Sequence, residues 1–188
     1  MTLKIIAGKW KGRALKTPKG GSTRPTQGML REAIFNICQN EVGGARFLDL
    51  FAGSGAMGLE ALSRGAAHAT FIEQNRQAIA CIKENIGILK GEAETSIVGM
   101  EASRAVELLA RQKALFDLIY IDPPYDIGFD IKPAAQLLAP GGTLFLEERR
   151  HPKRGRPTAG IGTLQCKETR RFGAALITLF QNQCSDSR

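Results

Sequence analysis

Short apolar runs alternate with helix-like segments through the middle of this 188-residue chain, and the alternation restricts the fold more than any other feature. The strand-like runs occupy residues 46–51, 69–73, 95–98, 116–121 and 142–146. The helix-like segments occupy residues 58–64, 76–89, 102–111 and 133–138. Strands that alternate regularly with helices form a parallel sheet covered on both faces, so the sequence predicts an α/β fold.

The alternation ends in the last quarter of the chain. Two strand-like runs, 164–169 and 174–180, follow one another with only residues 170–173 between them. So short a connection forms a hairpin and leaves no room for a crossover helix. We therefore predict a mostly parallel sheet that ends in an antiparallel hairpin.

Positive charge is concentrated near the N-terminus. The net charge is +8, and the chain contains no carboxylate before Glu32. The basic residues that precede it are Lys4, Lys9, Lys11, Arg13, Lys16, Lys19, Arg24 and Arg31. Interspersed glycines and prolines exclude one long helix and favour a hairpin, a loop and a helix. This predicts a small basic extension over residues 1–44, ahead of a larger domain over residues 45–188.

A second basic cluster lies at residues 149–156. Together with the extension, it favours a polyanionic partner, which charge alone leaves open as RNA, DNA or an anionic membrane. The alternative is that both clusters are merely solvated surfaces.

Several other classes of protein are disfavoured. No apolar run has the length of a membrane span, and no signal peptide begins the chain. The four cysteines are far apart and lack metal-ligand spacing, namely Cys38, Cys81, Cys166 and Cys184. We therefore expect a cytoplasmic protein with no metal site and no membrane association.

A glycine-rich turn follows the first predicted strand. Gly53, Gly55 and Gly58 form G-x-G-x-x-G between a strand and a helix, the context that this motif requires. Asp49 lies in the carboxyl-end part of the first strand, four residues before Gly53, and Glu73 ends the second strand; carboxylates at these places can bind a cofactor's amino group and ribose hydroxyls. The turn by itself fits either a dinucleotide or S-adenosylmethionine.

Residues 122–125, Asp-Pro-Pro-Tyr, directly follow the fourth predicted strand. Two adjacent prolines carry no N–H, so the turn presents the Asp122 carboxylate and the Pro123 carbonyl as acceptors. Two acceptors on the hydrogens of an aryl amine favour a pyramidal nitrogen, whose localised lone pair can attack a sulfonium methyl group. Tyr125 is placed to stack on the base. The sequence thus predicts methylation of an exocyclic amine in nucleic acid, with S-adenosylmethionine as donor.

The chain resembles the RsmD family of bacterial 16S rRNA guanine-N2 methyltransferases over nearly its whole length. The matching segments are Ile-Ile-Ala-Gly-Lys-Trp-Lys-Gly-Arg at 5–13, Arg-Pro-Thr at 24–26, Arg-Glu-Ala-Ile-Phe-Asn at 31–36, the glycine-rich segment at 47–62 and Asp-Pro-Pro-Tyr at 122–125. The central motifs occur in many amino-methyltransferases, whereas the two N-terminal segments are more particular to this family.

The resemblance implies a Rossmann-like class I methyltransferase with a seven-stranded sheet and a small N-terminal extension. It implies a monomer that methylates N2 of one guanine of 16S rRNA, within an assembled or assembling 30S subunit. The implied cofactor contacts are Asp49, Phe51, Gly53, Gly55, Glu73, Gln74, Glu101 and Ala102. The implied catalytic residues are Asp122, Pro123, Pro124 and Tyr125. The expected RNA contacts are Lys9, Trp10, Lys11, Arg13, Arg24 and Arg31.

Other interpretations remain open at the level of sequence. A DNA adenine-N6 methyltransferase also uses Asp-Pro-Pro-Tyr, although only about 45 residues precede the sheet here, too few for a separate DNA-reading domain. A dinucleotide-dependent oxidoreductase would explain the glycine turn but not residues 122–125. A non-catalytic RNA-binding module would leave the ordered site residues without a purpose. Trp10 can either stack on a base or anchor the hairpin.

Overall fold

The computed structural model describes residues 2–18, 25–124, 129–149, 162 and 164–182. The strands are β1 Arg46–Asp49, β2 His68–Ile72, β3 Thr95–Val98, β4 Phe116–Ile121, β5 Leu138–Arg149, β6 Leu164–Phe172 and β7 Ala175–Asn182. The helices are α1 Pro25–Ile37, α2 Ala56–Ser63, α3 Arg76–Leu89, α4 Ala102–Arg111 and α5 Lys132–Ala135. Within these ranges, no helix is both long and apolar enough to cross a bilayer.

Seven strands form one sheet in the order β3-β2-β1-β4-β5-β7-β6. The strands β1 to β5 pair in parallel, while β7 runs antiparallel to both β5 and β6. The predicted α/β sheet and its antiparallel end are confirmed.

The largest differences from the predicted boundaries lie in α5 and β5. The helix expected at 133–138 is the four-residue α5, and β5 begins at Leu138, four residues before the predicted strand. The β4–β5 register shifts between Phe116 and Leu118, which accommodates the early part of β5 that contains Pro140. The sequence pattern hid this part of the strand because proline and glycine are poor strand formers.

Each face of the sheet packs against its own helices. The first face joins α1, α2 and α3 to Phe47, Leu118 and Phe145 in one apolar cluster. On the second face α4 and α5 pack against Leu48, Ile119 and Leu144. Neighbouring positions of each strand thus alternate between the two clusters, as expected for a sheet buried on both faces.

The N-terminal extension packs onto the first face. Lys4 and Ala14 form an antiparallel bridge, and Ile5 and Leu15 are buried in the same core as the sheet residues. The tip of this hairpin contacts Ser63, the last residue of α2. Since α2 runs from the carboxyl end of β1 toward the amino end of β2, the tip lies at the amino-end edge of the sheet.

Glu60 of α2 holds the extension in place. This fully buried carboxylate accepts hydrogen bonds from the backbone N–H groups of Ile6 at 2.8 Å and Ala7 at 3.0 Å. It also pairs with Arg64 at 2.8 Å and with Arg31 of α1 at 3.5 Å. One carboxylate therefore ties the hairpin and α1 to α2.

We expect Glu60→Gln to lower the free energy of unfolding by about 3–5 kcal/mol, because it leaves the buried Arg31 guanidinium without its charged partner. Urea denaturation measures the change. Glu107→Gln, at an exposed position of α4, is the matched control and should alter stability by less than about 0.5 kcal/mol. Equal effects of the two substitutions would contradict the role assigned to Glu60.

Candidate active site

Acidic residues meet at the carboxyl-end edge of the parallel strands. Asp49 is the last residue of β1, Glu73 directly follows β2, and Asp122 directly follows β4. Because β2 and β4 both pair with β1 in parallel, all three carboxylates lie at the same edge. Open α/β sheets bind their ligands at this edge.

The glycine-rich turn connects β1 to α2 and requires glycine for two different reasons. Gly55 caps α2 with φ of 78°, a left-handed conformation that disfavours side chains. Gly58 lies against the ring of Phe71, and a Cβ there would be 2.3 Å from a ring carbon. The turn and the start of α2 are thereby held close to β2.

Glu73 links this turn to β2. Its two carboxylate oxygens accept hydrogen bonds from the backbone N–H groups of Gly53 at 2.9 Å and Asn75 at 2.8 Å. Each carboxylate oxygen has a second lone pair, and the side chain is only half-buried. Glu73 can therefore still accept hydrogen bonds from a ligand.

A cavity of about 280 Å³ opens at this edge. Asp49, Phe51, Gly53 and Asp122, all expected from the sequence, line it together. The extension supplies another part of the wall through Leu3, Thr17, Pro18, Gln27, Leu30 and Arg31. The extension is thus part of the site as well as part of the core.

Burial controls the electrostatics of Asp49, which is 1% exposed. Burial raises the pKa of Asp49 to about 7, with a further increase from the charge of Glu73, while the hydrogen bond from the Gly58 N–H lowers it. No cation pairs with Asp49 among the described residues. A cationic ligand group would supply the missing charge.

Sequence reasoning missed Tyr120 and Glu147, which also line the cavity. Both are buried, and the Tyr120 hydroxyl donates a hydrogen bond to Glu147 Oε2. Burial raises the pKa of Asp122, and the charges of Glu147 and Asp49 raise it further. Burial also raises the pKa of Glu147. The signal available in the sequence was a pair of glutamates, Glu147 and Glu148, directly after the apolar run 144–146.

Asn85 was also missed. This fully buried residue of α3 accepts a hydrogen bond from the Lys16 N–H at 2.7 Å. It also donates to the Lys16 carbonyl at 3.0 Å and to the Ser54 carbonyl at 2.9 Å. One amide therefore connects the extension to the glycine-rich turn.

The hairpin tip carries four of the expected RNA contacts, and the structure gives three of them partners within the protein. Lys9 pairs with Glu94 at 2.6 Å, Arg13 donates to the Ile88 carbonyl at 2.9 Å, and Lys11 is exposed. Trp10 is partly buried against the core, which fits an anchor for the hairpin. The tip lies about 12 Å from the glycine turn, one length of the eight-residue α2.

Arg31 was also expected to contact RNA, but its side chain is 4% exposed. It pairs with Glu60 and donates to the Lys4 carbonyl. This placement favours a structural role for Arg31, in place of the phosphate contact that the sequence predicted.

The other expected contacts lie outside the cavity or outside the described residues. Glu101 caps α4 by accepting hydrogen bonds from the N–H groups of Ser103 at 2.9 Å and Arg104 at 3.1 Å. Ala102 is buried beside it, and Gln74 is exposed. Pro123 and Pro124 follow Asp122 as expected, whereas Tyr125 and Arg24 lie outside the described residues.

Comparison with known proteins gives concordant matches. The model of the family described as Conserved hypothetical protein 95 matches residues 3–181. Ribosomal RNA small subunit methyltransferase D of Escherichia coli is 38% identical over 142 residues, which cover 76% of this chain and 69% of that protein.

Solved structures show the same architecture. The structure of yhhF from Escherichia coli, described as a methyltransferase, has a TM-score of 0.82 and 30% identity, covering 98% of this chain and 100% of that one. A SAM-dependent methyltransferase from Agrobacterium tumefaciens has a TM-score of 0.66, covering 86% of this chain and 63% of that one. Its identity is 18%, so this likeness concerns the fold alone.

We expect Asp49→Asn to stabilise the ligand-free protein at pH 8 and much less at pH 5. The folded-state pKa of Asp49 lies above its unfolded value, so its stabilising contribution is complete below about pH 4 and is lost as the pH rises through about 7. Asparagine mimics the protonated carboxyl group and does not ionise, so its contribution to stability is not lost as the pH rises. The increase in the free energy of unfolding caused by Asp49→Asn should be larger at pH 8 than at pH 5 by about 1–3 kcal/mol.

Urea denaturation at the two pH values measures this difference. Asp130→Asn, at an exposed position, is the control for replacing an aspartate by asparagine. A gain from Asp49→Asn that is the same at both pH values would show that the ionised carboxylate carries no burial penalty.

Proposed function

Because the chain belongs to the family described as Conserved hypothetical protein 95, which is the RsmD family, we propose that it transfers a methyl group from S-adenosylmethionine to N2 of a guanine in 16S rRNA. The observation that carries the proposal is the position of Asp122. It shares one cavity with Asp49 and the glycine-rich turn, so an acceptor for an amine lies beside a cofactor-type turn.

The residues of the cavity, together with Glu73 beside it, fit S-adenosylmethionine. Asp49, which has no cationic partner within the described residues, offers its carboxylate to the ammonium group of the amino-acid part. Glu73 offers its remaining lone pairs to the ribose hydroxyls. When bound, the cofactor supplies a sulfonium methyl group for transfer. The space beside the Gly53 Cα is open, since a Cβ there would meet nothing within 4 Å, so a cofactor can approach the backbone at this position.

Asp122 and the Pro123 carbonyl act on the target amine. Both are acceptors, so they hold the amine hydrogens and favour a lone pair directed at the methyl carbon. As the nitrogen–carbon bond forms and the carbon–sulfur bond breaks, the nitrogen becomes positively charged and must lose a proton. Burial raises the pKa of Asp122, which makes its carboxylate a better acceptor for that proton.

The two alternative enzyme classes are distinguished from this proposal in different ways. A dinucleotide-dependent oxidoreductase has no need for an acceptor turn at 122–124. A DNA adenine-N6 methyltransferase would use the same turn, and it is distinguished by its product. Incubating the protein with labelled S-adenosylmethionine and either ribosomal RNA or plasmid DNA, followed by nucleoside mass spectrometry, identifies N2-methylguanine or N6-methyladenine.

RNA docking is expected at the part of the extension that reaches the cavity. Lys4 and Lys16 are exposed and adjoin the cavity-lining residues Leu3 and Thr17. Lys16 pairs with Glu84, but exposed ion pairs contribute little and rearrange easily. The position of Lys4 and Lys16 at the rim of the cavity suits contacts to phosphates that flank a target base within the 30S subunit. The tip residue Lys11 lies at the opposite edge of the sheet.

We expect Asp122→Ala and Glu73→Ala to impair different steps. Asp122→Ala should lower kcat by on the order of 100-fold or more with little change in cofactor affinity, because Asp122 acts on the amine in the transition state. Glu73→Ala should weaken cofactor binding by about 10- to 150-fold, because hydrogen bonds to a charged acceptor are lost. Calorimetry and single-turnover methylation of rRNA measure the two effects.

The proposal fails if the Asp122→Ala protein retains more than half of the activity. It also fails if Glu73→Ala leaves the affinity for S-adenosylmethionine unchanged. Glu107→Gln serves as a common control for both assays, since Glu107 is exposed on α4 and does not line the cavity.

We expect the double variant Lys4→Gln, Lys16→Gln to weaken RNA binding and to reduce the slope of log affinity against log salt by about 1 for each lost phosphate contact. Lys11→Gln on the same hairpin is the matched control and should leave the slope unchanged. Filter binding over a range of salt concentrations measures the RNA affinity and its salt slope for each variant. If Lys11→Gln reduces the slope and the double variant does not, the hairpin tip is the RNA-docking element.

A further inference from the structure

Two carboxylates lie side by side at one wall of the cavity. Ile121 of β4 pairs with Leu146 of β5, so the next residues of these parallel strands, Asp122 and Glu147, are neighbours. Both side chains line the cavity, together with Tyr120. The register therefore presents two acceptors from adjacent strands to whatever enters this part of the site.

Glu147 keeps one oxygen available for a ligand. The residue is 7% exposed, and its Oε2 accepts the hydrogen bond from the Tyr120 hydroxyl. Its Oε1 accepts no hydrogen bond from the other described residues. The side chain lines the cavity and Oε1 has two lone pairs, so a ligand that enters the cavity with a hydrogen-bond donor can bind this oxygen.

The charged groups around Glu147 do not satisfy this oxygen. Arg31 is the one cation among the residues that line the cavity, and its ion pair is with Glu60. Asp49 and Asp122 are acceptors when ionised, and the Tyr120 hydrogen is already donated to Oε2. This wall therefore selects a ligand edge that carries donors.

The bases differ in the donors that they can offer to such a wall. Guanine presents the N1–H and an N2–H side by side, so that two adjacent acceptors can bind both. Adenine presents a donor at N6 but a lone pair at N1, and cytosine presents a donor at N4 beside a lone pair at N3. A lone pair directed at a carboxylate is repelled, so two adjacent acceptors favour guanine.

We propose that Glu147 is a specificity-determining residue, whose Oε1 accepts the N1–H of the target guanine while Asp122 accepts a hydrogen of N2. This assignment rests on the proposed function. Tyr120 is a positioning residue that acts through Glu147, because its hydroxyl fixes Oε2 and directs Oε1 to the cavity. The pair thus recognises the base and also orients the amine that is methylated.

The test replaces the target guanine by 2-aminopurine in the 16S rRNA of reconstituted small subunits, once mass spectrometry has located the methylated position. This base keeps the N2 amine but has a lone pair at N1. The unmodified protein should methylate guanine with a kcat/KM at least about 100-fold above that for 2-aminopurine, because a site built to bind an N–H rejects an analogue that lacks it.

Glu147→Gln should reduce this ratio by about 10-fold or more, since the amide can donate to N1 of 2-aminopurine and its oxygen can still accept from Tyr120. The missing O6 group affects the unmodified protein and Glu147→Gln equally. The change in the ratio between the two proteins therefore reports only the interaction with N1. Glu148→Gln is the matched control, because Glu148 follows on the same strand with its side chain directed to the other face. It should leave the ratio unchanged.

The outcomes separate this inference from the proposed function. If the full-length protein methylates guanine and Glu147→Gln lowers both rates equally, so that the ratio is unchanged, Glu147 does not read N1 and the inference is overturned. If the unmodified protein methylates no guanine in rRNA, the proposed function itself fails. Cofactor affinity and melting temperature of Glu147→Gln exclude a loss of fold as the cause of a changed ratio.

Discussion

Parallel pairing of β1 with both β2 and β4 is the constraint on which the site depends. Because the three strands run in the same direction, the residues that end or follow them, Asp49, Glu73 and Asp122, emerge at one edge. The connections α2 and α3 lead from β1 and β2 to the next strands and pack on the first face of the sheet, beside this edge. The position of the cavity therefore follows from topology, and the residue types at the strand ends decide its chemistry.

Concentrating carboxylates at this edge opposes the stability of the ligand-free protein. Burial raises the pKa values of Asp49, Asp122 and Glu147, and the charges of neighbouring carboxylates raise those of Asp49 and Asp122 further, so ionising these groups at neutral pH is unfavourable without a ligand. The same unfavourable burial makes the site receptive to an ammonium group and to N–H donors. Stability is thus lower where the proposed reaction requires it, a compromise expected of enzyme active sites.

The parts of the site that the sequence predicted are those encoded by local patterns. Gly55, Gly58 and Asp122 belong to short motifs whose meaning depends only on an adjacent strand or helix. Glu60, Asn85 and Glu147 were missed because their partners lie far away in the chain, as with Asn85 and Lys16, which are 69 positions apart. A distant partner also explains the prediction for Arg31. Its positive charge suggested a contact with RNA, and only the fold shows that Glu60 pairs with it.

The placement of the extension follows from these long-range contacts. Glu60 fixes the strand that leads down to the hairpin tip, and Asn85 fixes the strand that returns toward the cavity. Since Asn85 also binds the Ser54 carbonyl, displacement of the returning strand would disturb the glycine-rich turn. A cofactor that orders this turn and an RNA that docks on Lys4 and Lys16 would therefore stabilise the same arrangement of the extension, so binding of either is expected to favour the other.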